Sequence, residues 1–120
     1  MSTIKFGADI VPVTFKRPGS NSKHRYDPPE YAAFKRALGY VARRAMRNRE
    51  PLDSPTKLVI DVFNNLPPAS LNFGDWDNHA KAVCDALNGI CFADDRQIVD
   101  GRVRLHRGNP HIDILLEAIT

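Results

Sequence analysis

Five aspartates and one lysine between positions 75 and 95 are the side chains of this sequence best suited to chemistry: Asp75, Asp77, Lys81, Asp85, Asp94 and Asp95. Carboxylates that gather at one place repel one another unless a cation lies between them. A site made of carboxylate oxygens, without histidine or thiolate ligands, suits the hard divalent ions Mg²⁺ and Mn²⁺. The segment therefore predicts a divalent metal site beside a lysine.

The spacing within this segment indicates which aspartates converge. Asp75 and Asp77 are two residues apart directly before an expected helix, so their side chains point the same way and meet the helix N-terminus, where phosphate oxygens also bind well. Lys81 lies one turn beyond Asp77 and can face a phosphate. Alternation along the following strand turns Asp95 towards the helices and Asp94 away from them. Asp75, Asp77 and Asp95 are therefore the expected metal ligands.

Each of these residues also has an ordinary structural explanation. Asp77 could cap the helix, Asp85 could pair with Lys81 one turn away, and the Asp94–Asp95 pair could form a turn. For each aspartate taken by itself, the structural role is the more common one. Residue chemistry alone leaves both interpretations open.

Charge is distributed unevenly along the 120 residues, although the net charge is only +3. Residues 16–49 contain ten basic and two acidic side chains, whereas residues 50–120 contain six basic and eleven acidic ones. A basic cluster of this kind is typical of nucleic-acid binding, although many basic helical faces are simply solvated. The expected DNA-contacting residues are Lys16, Arg17, Lys23, Arg25, Arg43, Arg44, Arg47, Arg102 and Arg104.

The cysteines and the hydropathy of the sequence indicate the class of protein. Cys84 and Cys91 are the two cysteines, and their spacing is not that of a zinc knuckle, so they are expected to be reduced, buried residues. No run of residues is apolar enough to span a bilayer, and the N-terminus lacks the pattern of a signal peptide. We therefore expect a cytoplasmic protein with no membrane segment.

Two helices are expected in the chain. Asp27, two prolines and Glu30 form a typical helix start. A stripe of apolar residues at steps of three and four follows, and it consists of Tyr31, Phe34, Leu38, Val41 and Ala45. The second helix runs from Asp77 to the C-terminal stop at 88–89.

Alternation of apolar and polar residues predicts four strands. The first covers 4–15 with a bulge near Pro12, an exposed basic loop at 16–26 follows it, and two further strands cover 58–63 and 112–118. The remaining strand begins at Asp94–Asp95 and turns one set of side chains towards the helices: Gln97, Val99, Val103 and Leu105. The order β-α-β-α-β-β predicts an α+β fold in which residues 1–120 form one domain, a small mixed four-stranded sheet with two helices packed on one face.

Three short sequences in this region, DWDNHAK at 75–81, DALNG at 85–89 and DDRQIV at 94–99, together resemble the RusA family of Holliday junction resolvases of bacteria and their phages. The resemblance is dense over residues 75–103 and loose outside them. It implies a small homodimeric endonuclease with a mixed α/β fold that acts in DNA recombination and repair. Such an enzyme binds four-way junctions and nicks opposed strands using Mg²⁺.

Carried over by position, the resemblance makes Asp75, Asp77 and Asp95 the metal-binding catalytic carboxylates and Lys81 the catalytic lysine. Three other matching residues receive supporting roles, namely Asn78, Asp85 and Asp94. The chain departs from the family at Gly74, because a basic residue often precedes the first aspartate there. A DNA contact is thereby lost or supplied by another residue.

The working hypothesis is hydrolysis of a DNA phosphodiester assisted by one or two Mg²⁺ ions, with Lys81 stabilising charge on the phosphate or the leaving oxygen. Two alternatives remain at this point. One is a branched-DNA-binding module that does not cut, and the other is a metal-dependent nuclease for flaps, forks or RNA.

Overall fold

The computed structural model describes residues 3–15 and 28–119. Its elements are β1 (Thr3–Ala8), α1 (Pro29–Met46), β2 (Thr56–Asn64), α2 (Trp76–Leu87), β3 (Ile98–Arg107) and β4 (His111–Ala118). A 3₁₀ turn over Asp95–Gln97 precedes β3. The predicted order of elements and the α+β fold are confirmed. The loop expected at 16–26 lies outside the described residues.

The four strands form one mixed sheet in the order β1-β4-β2-β3. The β1/β4 and β4/β2 pairs are antiparallel, whereas β2 and β3 are parallel. Two parallel neighbours need a crossover connection, and α2 supplies it. The N-terminus of α2 consequently follows the end of β2, and the loop and 3₁₀ turn after α2 lead back to the beginning of β3.

One face of the sheet makes the core with the two helices. Alternate residues of the central strands are buried there: Leu58, Ile60 and Val62 of β2, and Ile112, Ile114 and Leu116 of β4. The residues between them, such as Asp61 and Asp113, point to the other face and stay at least partly exposed. This alternation is the burial pattern of a sheet whose helices cover a single side. Neither helix has the length and apolar character needed to cross a bilayer.

The apolar stripe of α1 differs from the predicted one in its second half. Tyr31, Phe34 and Leu38 are buried as expected, but the stripe continues through Ala42 and Met46. Val41 and Ala45 are only half-buried. A step of four at each of the last two turns keeps the stripe on the face that meets the sheet.

The first and third strands are shorter than predicted. β1 ends at Ala8, so residues 9–15 are not a strand. β3 begins at Ile98 rather than at Asp94–Asp95, and its pairing with β2 slips between Thr56 and Lys57, so that Val99 is an extra residue. A bulge of this kind reverses the alternation. Val99 is therefore 63% exposed, whereas it was expected to face the helices.

Candidate metal centre and nucleic-acid interface

The N-terminus of α2 places Asp75 and Asp77 together. Asp75 is the N-cap residue, and its carboxylate makes no capping hydrogen bond, although its backbone carbonyl accepts from Asn78 N and His79 N at 3.1 Å each. Asp77 lies in the first turn. Both aspartates are exposed, and both line a depression of about 490 Å³ that Trp76 borders as well. We call this feature the Asp75–Asp77 depression.

Gly74 has a backbone conformation that explains the departure from the family pattern. Its φ is +92°, a region that side-chain-bearing residues rarely adopt. A Cβ at this position would also lie 2.6 Å from Thr14 Cγ2. A basic residue therefore does not fit this backbone, and the glycine brings the chain close to residues 9–15 just before Asp75.

His79 fastens the second turn of α2 to the loop before it. Its ring is buried, stands edge-on to Phe73, and donates from Nε2 to the Phe73 carbonyl oxygen at 2.7 Å. Burial lowers the pKa of His79, against a smaller opposing effect of that carbonyl and of Asp75. The neutral ring is a structural contact that holds the loop leading into Asp75.

Lys81 lies in a set of contacts that we call the Lys81 network, made by Tyr31, Lys81 and Asp85. The Lys81 ammonium lies 2.8 Å from Asp85 Oδ1, and the Tyr31 hydroxyl donates to Asp85 Oδ2 at 2.8 Å. The ring of Phe15 lies 5.8 Å from the ammonium. The hydrogen bond to Asp85 is the main cause that raises the pKa of Lys81, so the side chain is a cation at neutral pH.

Asp95 acts electrostatically on two residues of α2, Lys81 and Cys84. Its charge helps to raise the pKa of Lys81, after the larger effect of Asp85. It also adds to the effect of burial, which raises the pKa of the Cys84 thiol to about 11. Asp95 belongs to the 3₁₀ turn and not to β3, so strand alternation does not set its direction, and its role as a metal ligand stays a prediction.

Asp94 stabilises this turn. Its carboxylate accepts from Arg96 N at 2.9 Å, and its own backbone N–H donates to Gln97 Oε1 at 2.9 Å. The same Gln97 side chain donates to Leu52 O at 2.8 Å. This reciprocal capping arrangement is the turn role that was named as the structural explanation of the Asp94–Asp95 pair.

The four predicted active-site residues fall into two groups. Asp75 and Asp77 share the depression at the N-terminus of α2, whereas Asp95 lies in the 3₁₀ turn before β3 and acts electrostatically on Lys81. Among residues 3–15 and 28–119, no three Asp, Glu, His or Cys side chains are close enough together to hold a metal ion. The donor chemistry nevertheless fits a hard divalent ion, because all three predicted ligands are carboxylates.

The two cysteines belong to the protein interior. Cys91 is buried and Cys84 half-buried, and both are free thiols. Burial raises the pKa of Cys91 to about 12. Both groups therefore stay protonated at neutral pH, as expected for small apolar core residues rather than nucleophiles.

The predicted DNA-contacting residues lie on two different faces. Arg43 and Arg44 are exposed on α1 and Arg47 is exposed at its C-cap, while Arg102 is exposed on the sheet face away from the helices. Arg104 shares that second face and binds Asp61 through two hydrogen bonds of 2.6 and 2.8 Å. The remaining predicted contacts, Lys16, Arg17, Lys23 and Arg25, lie outside the described residues.

Two grooves run along the sides of α1, and both are rich in cations. One lies against the C-terminal half of α2, where Lys35, Arg36 and Arg43 are among its lining residues. The other lies against β1, and its charged lining residues are Lys5, Arg44, Arg47 and Arg49. Positive charge on both sides of one helix is suited to a phosphate backbone.

Tyr31 and Phe15 are the residues of this site that the sequence did not indicate. Tyr31 was assigned to the core stripe of α1 and Phe15 to a strand. Tyr31 is indeed buried, but its hydroxyl reaches a residue 54 positions away, and Phe15 N donates to Asn78 O at 3.3 Å. A local sequence pattern cannot indicate contacts between residues that are so far apart in the chain.

Comparison with known proteins identifies the family to which the chain belongs. Residues 9–117 match the family described as Endodeoxyribonuclease RusA. The chain is also similar to the uncharacterized protein YqaN of Bacillus subtilis strain 168, with 29% identity over 142 aligned positions that cover 100% of this chain and 99% of the relative. The resemblance seen in the motifs at 75–99 is thereby confirmed, and the chain belongs to the RusA family of endodeoxyribonucleases, a family of Holliday junction endonucleases.

Proposed function

We propose that this protein is an Mg²⁺-dependent, structure-specific DNA endonuclease that resolves Holliday junctions by paired nicks in opposed strands. The observation that carries the proposal is the Asp75–Asp77 depression, because two exposed carboxylates share it and that of Asp75 makes no capping hydrogen bond. Membership of the RusA family supports the four-way junction as substrate.

Asp75, Asp77 and Asp95 would hold one or two metal ions, with Asp75 and Asp77 together in the depression and Asp95 in the turn before β3. When bound, Mg²⁺ or Mn²⁺ would neutralise negative charge on the scissile phosphate. Lys81 stabilises the further negative charge that develops on the phosphate oxygens or on the leaving oxygen during hydrolysis. Its side chain is 46% exposed, so the ammonium is accessible to a phosphate.

The two grooves beside α1 are the proposed path of the DNA backbone. Arg43, Arg44 and Arg47 are the main contacts there, because they are exposed and lie in or beside a concentration of cations. Lys16, Arg17, Lys23 and Arg25, which lie outside the described residues, are proposed as further DNA contacts. Arg102 remains a candidate on the opposite face, and Arg104 is a weaker one because Asp61 already binds it.

A homodimer is the proposed active form. A two-fold dimer presents two identical active sites related by symmetry. A four-way junction offers two equivalent strands on opposite sides of its centre. Two sites in one dimer can therefore nick both strands during one binding event, which explains paired cleavage.

The test is a panel of labelled DNA substrates comprising a four-way junction, a fork, a flap and a linear duplex, with an RNA duplex for comparison. Wild type should nick the junction in Mg²⁺ and in Mn²⁺ but not in EDTA. Asp77→Asn should reduce cleavage by at least about 10²-fold, because it removes a carboxylate that neutralises transition-state charge. Binding of the junction by Asp77→Asn should persist.

Three results would contradict parts of this proposal. A wild type that binds the junction but never nicks any substrate would be a non-catalytic branched-DNA-binding module. Cleavage of forks, flaps or RNA faster than of the four-way junction would show that one of them is the preferred substrate of the same chemistry. Cleavage that continues undiminished in EDTA would remove the metal from the mechanism.

A further inference from the structure

The Lys81 network joins two helices through one carboxylate. Asp85 is the shared member, with Lys81 on one oxygen and the Tyr31 hydroxyl on the other, each at 2.8 Å. The Asp85 side chain is 18% exposed, and Tyr31 is 3% exposed. The carboxylate is thus held from α1 by a buried donor while it binds the lysine of α2.

We propose that Asp85 and Tyr31 are positioning residues that hold the Lys81 ammonium in place for DNA cleavage. The inference rests on the proposed function, in which Lys81 faces the scissile phosphate. Neither Asp85 nor Tyr31 touches the DNA in this proposal. Asp85 acts through Lys81, and Tyr31 acts through Asp85.

Helix geometry explains why the lysine needs this support. Lys81 is one turn away from Asp77 and one turn away from Asp85, so both acids are within reach. An acid that precedes lysine by four residues is the more favourable arrangement in a helix, and the reverse order is weaker. The structure pairs Lys81 with Asp85, the residue in the weaker position. The second contact of Asp85, from the Tyr31 hydroxyl on α1, supports the carboxylate in that position.

The contacts around the ammonium restrict it on several sides. Asp85 binds it, the ring of Phe15 lies 5.8 Å from it, and Asp95 is close enough to act on it electrostatically. A free lysine side chain has several rotatable bonds, and freezing them before the reaction removes an entropic cost from the catalytic step. The network therefore holds the cation at one position before DNA arrives.

An ordinary surface ion pair would have different consequences. Such pairs contribute little, and their loss seldom changes anything beyond a small amount of stability. A positioning network should instead change the rate of the chemical step, and its members should not act independently of one another. These two properties separate the alternatives.

The kinetic experiment compares wild type, Asp85→Asn, Tyr31→Phe and the double variant on a saturating four-way junction with Mg²⁺. We expect kcat to fall about tenfold in Asp85→Asn and about threefold in Tyr31→Phe, with little change in KM. In the double variant, Tyr31→Phe should add nothing to the loss caused by Asp85→Asn. Asp100→Asn, an exposed aspartate on β3, is the matched control.

A second readout needs neither metal nor DNA. The Lys81 side chain is followed by NMR as a function of pH in protein labelled with ¹³C-lysine, and Lys81→Arg identifies its signal. Because the bond to Asp85 is the main cause of the raised pKa of Lys81, that pKa should fall in Asp85→Asn. Thermal unfolding of each variant establishes that the fold is retained.

The outcomes are distinguishable. A lower kcat in both variants, with a lower Lys81 pKa in Asp85→Asn, supports the inference. Cleavage by wild type, with unchanged or faster cleavage by the variants, overturns the inference and leaves the proposed function intact. Additive losses in the double variant overturn the action of Tyr31 through Asp85. Absence of cleavage by wild type overturns the proposed function, and the inference falls with it.

Discussion

Single residues in this protein are constrained by neighbours that are distant in the sequence. Gly74 is an example, because its positive φ and its closeness to Thr14 both exclude a side chain. The residue stands directly before Asp75. Its conformation therefore determines how the chain enters the turn that presents the first carboxylate.

Substituting Gly74→Ala should lower the free energy of unfolding by about 1–3 kcal/mol, since the new Cβ adopts a strained conformation and collides with the Thr14 methyl group. Urea denaturation measures this change. Thr14→Ser removes that methyl group, so the double variant Gly74→Ala with Thr14→Ser should regain part of the loss. Equal stability of Gly74→Ala and wild type would contradict the argument.

At the scale of elements, the end of β1 is fastened to the beginning of β4 by one histidine. His111 Nδ1 donates to Asp9 Oδ1 and Nε2 donates to Asp113 Oδ1, both at 2.7 Å. A ring that donates from both nitrogens is the protonated imidazolium. Gly7 lies beneath the pair, and a Cβ there would be 2.6 Å from Asp113 Oδ1. Asp9 begins the segment that carries Phe15 to the Lys81 network.

This contact predicts a pH dependence of stability. The hydrogen bond to Asp113 is the main cause that raises the pKa of His111 above its usual 6.5, against the opposing effect of burial. The stabilisation is therefore complete below about pH 6.5, the pKa of an unfolded histidine, and is lost as pH rises through the higher folded pKa. Its size should be below about 1 kcal/mol for each pair, because the carboxylates are exposed.

Urea denaturation at pH 5.5 and at pH 8.5 tests this prediction. Wild type should lose more stability than His111→Asn between the two values, since the variant has no imidazolium to lose. Identical changes in wild type and variant would show that the His111 contact is not the source. Asp61 makes a separate contribution to stability, because the hydrogen bond to Arg104 is the main cause that lowers its pKa. That contribution is lost only as the pH falls below about 4.

At the scale of the whole molecule, the grooves beside α1 concentrate positive charge on one side of the protein. If they carry the DNA backbone, binding must release counterions from the phosphates, and affinity must fall as salt rises. Arg44 and Arg47 line the groove next to β1. Their removal should weaken binding without regard to DNA sequence.

We expect the variant Arg44→Ala with Arg47→Ala to bind the junction more weakly and to reduce the slope of log affinity against log salt by up to about 2. Titrations at several salt concentrations measure the slope. Lys57→Ala is a suitable control, because Lys57 lies on a central strand away from α1. An unchanged slope in the double variant would place the DNA elsewhere.

The sequence by itself determined the order of elements, the position of α2 and the family. Each of these depends on local spacing, and the spacing of apolar residues or of the motif at 75–99 can be read without knowledge of the fold. The sequence also identified Asp75, Asp77, Lys81 and Asp95 as the candidate active-site residues. Their roles as metal ligands and catalytic lysine remain predictions.

The tertiary structure decided what local spacing cannot express. The bulge at Val99 depends on pairing with β2, and the end of the α1 stripe depends on where the helix meets the sheet. The contact between Tyr31 and Asp85 joins residues 54 positions apart. Nothing in the local spacing of the sequence indicates that the Tyr31 hydroxyl on α1 and the Asp85 carboxylate on α2 are neighbours. Only packing of α1 against α2 brings them within a hydrogen bond.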